Sequence, residues 1–256
     1  MSFYSTPALD FQDGISHPAA EPDETTFGPK FMRNLLQRVV AEALGTAMLL
    51  AAVVGSGIMG ERLAAGNLAV ALLANTLATG AALVALILTF GPISGAHFNP
   101  AVTFASAWQG YITWTDVPLY VIAQIGGAFV GVAAAHVMFE LPLFFASHHA
   151  RSGGAQMFSE FVATFGLLLV IWAAVRFRPA AAPFAVAAYI TAAYWFTAST
   201  SFANPAVTLA RAASDTFSGI RPADTPGFIV AQLLGATTAT LLFRWLTSNL
   251  ENGDQK

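Results

Sequence analysis

The sequence has no cysteine, so disulfides and thiolate chemistry are excluded. Charge is also scarce. Asp, Glu, Lys and Arg make up 10% of the 256 residues, where soluble domains carry about 25%. A soluble fold with so few charges could not cover its surface. No basic run exists for a nucleic-acid partner. The G-x-S-x-G elbow, the H-E-x-x-H pair and the P-loop are missing, and the titratable groups are dispersed. The chain therefore reads as no enzyme, and no cofactor or metal is implied. Residues 1–33 lack the apolar core of a signal peptide. They carry Asp10, Asp13, Glu21, Asp23 and Glu24 among prolines, the composition of a flexible tail.

Apolarity is what remains: 56% of the chain is hydrophobic. A spanning helix needs about 20 mostly apolar residues. Six segments qualify, near 35–58, 68–90, 117–140, 157–176, 181–199 and 227–247. They predict one channel-like domain over 34–248, with half-repeats of about 34–140 and 157–247 and a C-terminal tail at 249–256. Two shorter apolar stretches begin at Asn99 and Asn204. Each is long enough to cross half a bilayer. Short helices at that depth are tolerated where they are buried in protein or line a water-filled cavity. Cytoplasmic loops carry an excess of Lys and Arg. Placing both termini in the cytoplasm puts Lys30, Arg33, Arg38, Arg176, Arg178, Arg244 and Lys256 inside. Arg62, Arg151, Arg211 and Arg221 are then outside. The reading is a multi-pass protein of the inner or plasma membrane.

Three landmarks recur in order in the two halves. Glu-x-x-x-Thr appears as Glu42 to Thr46 and Glu160 to Thr164. Asn-Pro-Ala-Val-Thr-x-Ala appears as Asn99 to Ala105 and Asn204 to Ala210. Ala-Gln-x-x-Gly-Ala appears as Ala123 to Ala128 and Ala231 to Ala236. Each half holds three spans, an odd number, so the halves insert upside down relative to each other. Such inverted repeats bring their broken segments together at the midplane.

Asn is a favoured N-cap and Pro a favoured first helical residue. Asn99-Pro100-Ala101 and Asn204-Pro205-Ala206 therefore each start a short helix. The Asn oxygen caps the first turn, which aims its NH₂ group. The unpaired N–H groups and the macrodipole make each start electropositive. Two starts meeting at the midplane pass neutral solutes with an acceptor oxygen and oppose cations.

The segments Ile93 to Thr103 and Phe202 to Ala206 resemble the two signature loops of the aquaporin and glycerol-facilitator family. The resemblance covers roughly residues 35–247. It implies an all-α membrane protein, a right-handed bundle of six transmembrane helices plus two re-entrant half-helices. It also implies a homotetramer in the lipid bilayer, with one pore per subunit for water and small neutral solutes. The family's four-position filter carries over as Thr79, Ala192, Ser201 and Val207. Tyr189, Tyr194 and Phe196 are alternatives for the span-five member. Most members have arginine where Val207 stands, and glycerol facilitators have aspartate where Thr208 stands. Val207 resembles the filter of bacterial aquaglyceroporins linked to arsenic resistance. The resemblance implies a wide, uncharged pore for polyols of the glycerol type, extending to arsenite or methylated arsenicals. An orthodox water channel and a secondary transporter with broken helices are the alternatives.

The remaining polar residues have plainer readings beside the functional ones. Glu42 and Glu160 lie within spans, where a carboxylate is costly and faces the protein interior. The repeat suggests that each holds the backbone of a re-entrant loop. His97, at the inner mouth, is either a structural hydrogen-bonding group or a pH gate. Arg211, four residues after Val207, is a vestibule candidate. Its plainer reading is a pair with Asp215 or a snorkelling side chain. His148 and His149 have no carboxylate neighbours in sequence. Gly127 and Gly131 form a small-xxx-small pair for close helix packing. Tyr194, Trp195 and Phe196 read as an interfacial belt or a pore wall.

Overall fold

The computed structural model describes residues 35–253, with side chains to residue 249. Residues 1–33, read as a tail, lie outside the described residues. Eight α-helices run in the order α1 Leu35–Leu63, α2 Leu68–Ser94, α3 Pro100–Trp108, α4 Val117–Met138, α5 Gly154–Phe177, α6 Ala182–Phe196, α7 Pro205–Arg211 and α8 Thr225–Gly253. No strand is present among the described residues. Five helices, α1, α2, α4, α5 and α8, are long and apolar enough to cross a membrane. The sixth expected span, α6, has only 15 residues. A 3-10 turn at Pro179–Ala181 leads into it. Helix α8 continues to Gly253, into the stretch assigned to the C-terminal tail.

Side-chain contacts fix the directions of the long helices. Arg38 pairs with Asp116 at the starts of α1 and α4. Arg62 donates to Phe139 O at their far ends, so the two helices run parallel. The second half repeats this. Gly227 faces Met157 at the starts of α8 and α5, and Phe177 meets Phe243 near their ends. Below, the near side is the one where α1 begins, and the far side is its opposite.

Small residues make these parallel pairs possible. A Cβ on Gly127 would run into Ala43 O, and one on Gly131 into Ala47 O. In the other half a Cβ on Gly235 would run into Phe161 O. In both halves the glycine of Ala-Gln-x-x-Gly therefore abuts the residue that follows the buried glutamate. Close backbone approach of this kind is a standard device of membrane helix pairs. Large apolar side chains such as Leu44, Met48, Leu77, Ile122, Leu234 and Leu241 stay exposed on the outside of the bundle. In water that would be an aggregation surface; facing lipid chains it costs nothing.

Candidate functional site: two capped half-helices and a far-side cluster

The short helices start where the Asn-Pro steps are. Asn99 is extended, at φ −155°, and its Oδ1 accepts the N–H of Ala101 at 2.9 Å. Asn204 is extended at φ −158°, and its Oδ1 accepts from Ala206 at 2.9 Å and from Val207. Capping by Oδ1 leaves Nδ2 pointing away from each helix. Asn99 Nδ2 donates to Ala203 O at 2.7 Å, and Asn204 Nδ2 donates to Phe98 O at 2.7 Å. The two helix starts thus meet and cross-link by reciprocal bonds. Each NH₂ keeps a second hydrogen.

The loop ahead of each start has an unusual backbone. Counting back from Asn99, positions −4, −3 and −1 are Gly95, Ala96 and Phe98, at φ 92°, 49° and 49°. Counting back from Asn204, the same positions are Thr200, Ser201 and Ala203, at φ 61°, 53° and 49°. Five of the six are not glycine. A left-handed conformation at such a residue costs on the order of 1–2 kcal/mol and persists only where surrounding contacts impose it.

The buried glutamates supply those contacts. Glu42 Oε1 accepts from Ser94 Oγ and His97 N, and its Oε2 accepts from Phe98 N and Gln124 Nε2, at 2.6 to 3.0 Å. Glu160 Oε1 accepts from Phe202 N, and its Oε2 accepts from Ala203 N and Gln232 Nε2, at 2.6 to 2.8 Å. Both carboxylates are fully buried. A carboxylate with no partner would be costly at this depth, and these have three or four donors each. Each glutamine spends its other N–H on a half-helix threonine, Thr103 or Thr208. Its Oε1 has no partner among the described residues. Flipping the amide would set that oxygen against the carboxylate, which explains why the orphan is tolerated.

His97 is half-buried at the near side. Its Nδ1 lies 3.1 Å from Thr103 Oγ1 and its ring leans on Tyr120. The Tyr120 hydroxyl donates to Ser94 O and accepts from Arg38 Nε. A continuous chain thus runs from the Arg38–Asp116 pair to the first loop.

At the far side, Thr79, Ser201 and Val207 are all buried. Ser201 Oγ has no partner among the described residues. At the span-five position the structure separates the candidates. Ala192 sits on the exposed stripe Phe184, Ala188, Ala192 and Trp195 of α6. Tyr194 is on the buried face, and its hydroxyl lies 3.4 Å from Thr79 Oγ1. The α6 candidate that meets Thr79 is therefore Tyr194. Of the three consecutive aromatics only Trp195 and Phe196 are exposed. Tyr189 instead bonds to α5 carbonyls of Val162 and Ala163.

Arg211 also departs from its plainer reading. It is 2% exposed, so it does not snorkel, and Asp215 is engaged by His148. Arg211 Nε donates to Ser218 O, and its guanidinium lies 3.4 Å from the centroid of the Phe202 ring. Arg151 is a site residue that the sequence did not single out. From the loop before α5, its Nε donates to Gly219 O at 2.8 Å and its Nη1 to Ser199 O at 3.1 Å. Burial pulls its pKa down to about 10, still charged at neutral pH. His148 has a carboxylate neighbour after all, Asp215 Oδ2 at 2.9 Å. No cluster of three metal-ligating side chains occurs among the described residues.

The arrangement is a membrane-spanning helical bundle broken at its midplane by two head-to-head half-helices, which defines a channel fold. The chain belongs to the major intrinsic protein family, whose pattern matches residues 30–182 and 175–256. It is 59% identical over 213 residues to the aquaglyceroporin AqpS of Rhizobium meliloti, covering 83% of this chain and 91% of that one. It is 34% identical to the rice aquaporin NIP1-3 over 56% of this chain and 50% of that protein. Its fold is similar to the aquaglyceroporin of Plasmodium falciparum, with a TM-score of 0.66 at 22% identity, over 82% of this chain and 96% of that one. Membership makes this protein a multi-pass membrane channel rather than an enzyme.

Proposed function

We propose that the chain is a passive pore for small uncharged solutes of the glycerol type, together with water. Its filter is Thr79, Tyr194, Ser201 and Val207. The observation that carries this reading is the chemistry of those four side chains: three hydroxyls and an isopropyl group, with no charge. A polyol can exchange its hydration shell for hydroxyls and slide its carbon side along an apolar wall. Tyr194 in place of Ala192 narrows this lining relative to the count from sequence. The same uncharged lining suits arsenite as As(OH)₃ and methylated arsenicals.

At the midplane, the second hydrogens of Asn99 and Asn204 are the donors for a passing acceptor oxygen. The two helix starts oppose cations there. Glu42 and Glu160 serve as loop scaffold, with His97 as a structural bond at the near mouth. The near side is the cytoplasm, so both termini are internal. The far side is the outer mouth, and four subunits, each with its own pore, assemble in the plasma membrane. The similarity to an aquaglyceroporin over most of both chains supports the solute class.

The test is stopped-flow shrinkage of liposomes holding the full chain, in glycerol and larger polyol gradients, with and without a proton gradient. The reading requires flux that is linear in concentration and indifferent to the proton gradient. Saturating, proton-coupled flux would make it a transporter. Passage of water alone would make it an orthodox water channel.

A further inference from the structure

Two buried arginines share one aromatic ring. The Arg211 guanidinium lies 3.4 Å from the centroid of the Phe202 ring and that of Arg151 lies 5.1 Å from it. Among the described residues neither has a carboxylate within ion-pairing distance. Their side-chain acceptors are carbonyls and a hydroxyl: Ser218 O, Gly219 O, Ser199 O and Thr200 Oγ1. The nearby carboxylate of Glu160 is spent on the loop N–H groups and Gln232. Two like charges on one ring, with no direct ion pair and their nearest carboxylate held by other donors, are costly to fold around and call for a role.

Their position supplies one. Arg211 lies four residues after Val207 on α7, hence on the same face and one turn farther from the midplane. Arg151 is tied to Ser199 and Thr200, the residues before Ser201. Phe202, which the two cations share, directly follows Ser201. Ser201 Oγ, 3% exposed in its residue, has no protein partner among the described residues. An unpartnered buried hydroxyl and a cation pair without a direct ion pair thus sit together on the far side, where an acceptor-bearing solute would complete both.

We infer that Arg211, steadied on Phe202 beside Arg151, is the charge-selecting residue of this pore, moved one helical turn outward from the position Val207 occupies. This rests on the channel reading above. The station bars cations by repulsion and offers N–H donors to the oxygens of neutral solutes before they reach Ser201. The isopropyl group of Val207 leaves the constriction below it open to solutes that an arginine there would exclude. Selection by charge and selection by size are thereby separated into two layers.

The full chain in liposomes decides this with two readouts, glycerol flux and potassium-driven cation leak. Wild type should pass glycerol and hold cations; absence of glycerol flux would sink the polyol-pore reading above, independently of the arginines. In Arg211→Gln the ratio of cation leak to glycerol flux should rise at least about tenfold, the factor that a modest loss of repulsion yields. Arg211→Lys should stay within about twofold of wild type. Adding Val207→Arg to Arg211→Gln should reseal the pore to cations. Should Arg211→Gln fail to assemble, Val207→Asp decides, because an acid one turn below Arg211 neutralises the station and must open the leak. Arg211→Gln as tight to cations as wild type overturns the inference, as does a leak that Val207→Arg does not close, or a tight Val207→Asp channel.

Discussion

The two re-entrant loops are built alike in backbone and differ in what surrounds them. Both take left-handed conformations at positions −4, −3 and −1 before the capping asparagine. In both, a buried glutamate takes the N–H groups at positions −2 and −1. In both, a glutamine then links that glutamate to a half-helix threonine. Beyond this shared frame they diverge. The first loop leads through His97, Ser94 and Tyr120 to an ion pair at the near side. The second leads through Ser201 and Phe202 to two arginines whose side chains form no ion pair among the described residues. The frame makes the midplane, where the two halves must match to meet head to head. The surroundings make the near and far sides, which have no reason to match.

The largest effect should come from removing the frame on either side. Glu160→Ala strands the N–H groups of Phe202 and Ala203 and orphans Gln232, and should cost about 3–5 kcal/mol. Glu42→Ala should cost as much. Detergent-solubilised thermal unfolding followed by size exclusion reads both. A loss under about 1 kcal/mol in one half only would break the equivalence of the loops.

Next in size is the helix contact beside each glutamate. Gly127→Ala drives a methyl into Ala43 O, which is backbone and cannot swing aside. It should destabilise by about 1–3 kcal/mol. Gly235→Ala, against Phe161 O, should match it in the second half.

A smaller effect sharpens the difference in residue type. Position −4 is Gly95 in one loop and Thr200 in the other, both at positive φ. Gly95→Thr should cost about 1–2 kcal/mol, because a β-branched residue is strained there. Thr200→Gly should recover less than about 1 kcal/mol, offset by a more flexible unfolded chain. Equal and opposite changes would show that Arg151 gains nothing from Thr200 Oγ1.

The smallest effect lies at the far-side surface. Hydrogen bonds from the His148 ring and backbone hold the Asp215 carboxyl below its usual 3.8. A lowered carboxylate pKa stabilises the fold above the ordinary value, and that contribution fades as pH falls toward the lowered one. The His148 loop should therefore be fully tethered at neutral pH and loosen only in strong acid. Limited proteolysis across pH should show this step in wild type and not in Asp215→Asn.

The repeat was legible because three landmarks recur in order, and Glu, Asn-Pro and Gln have strong local chemistry. The spans were legible to within a few residues, apart from α6, which is shorter than a full crossing. What stayed hidden was geometry that residue type does not encode. Ala192 and its alternative Tyr194 lie two residues apart on one apolar helix, and residue type does not say which of them faces the bundle. The loop before Asn204 turns left-handed at Thr200, Ser201 and Ala203, and the buried face of α6 carries Tyr194. No glycine marked those turns. Arg151 was hidden for another reason: it lies some fifty residues from the loop it braces, and nothing in its neighbours announces a partner.

The central claim is that a valine where most of the family has arginine leaves the constriction open to solutes larger than water. Stopped-flow shrinkage in water, glycerol and larger polyol gradients, wild type against Val207→Arg, tests it directly. The account predicts that wild type passes the polyols and that Val207→Arg loses them while keeping water. If Val207→Arg passes the same polyols at the same rates, Val207 does not set the pore's width and the account is wrong.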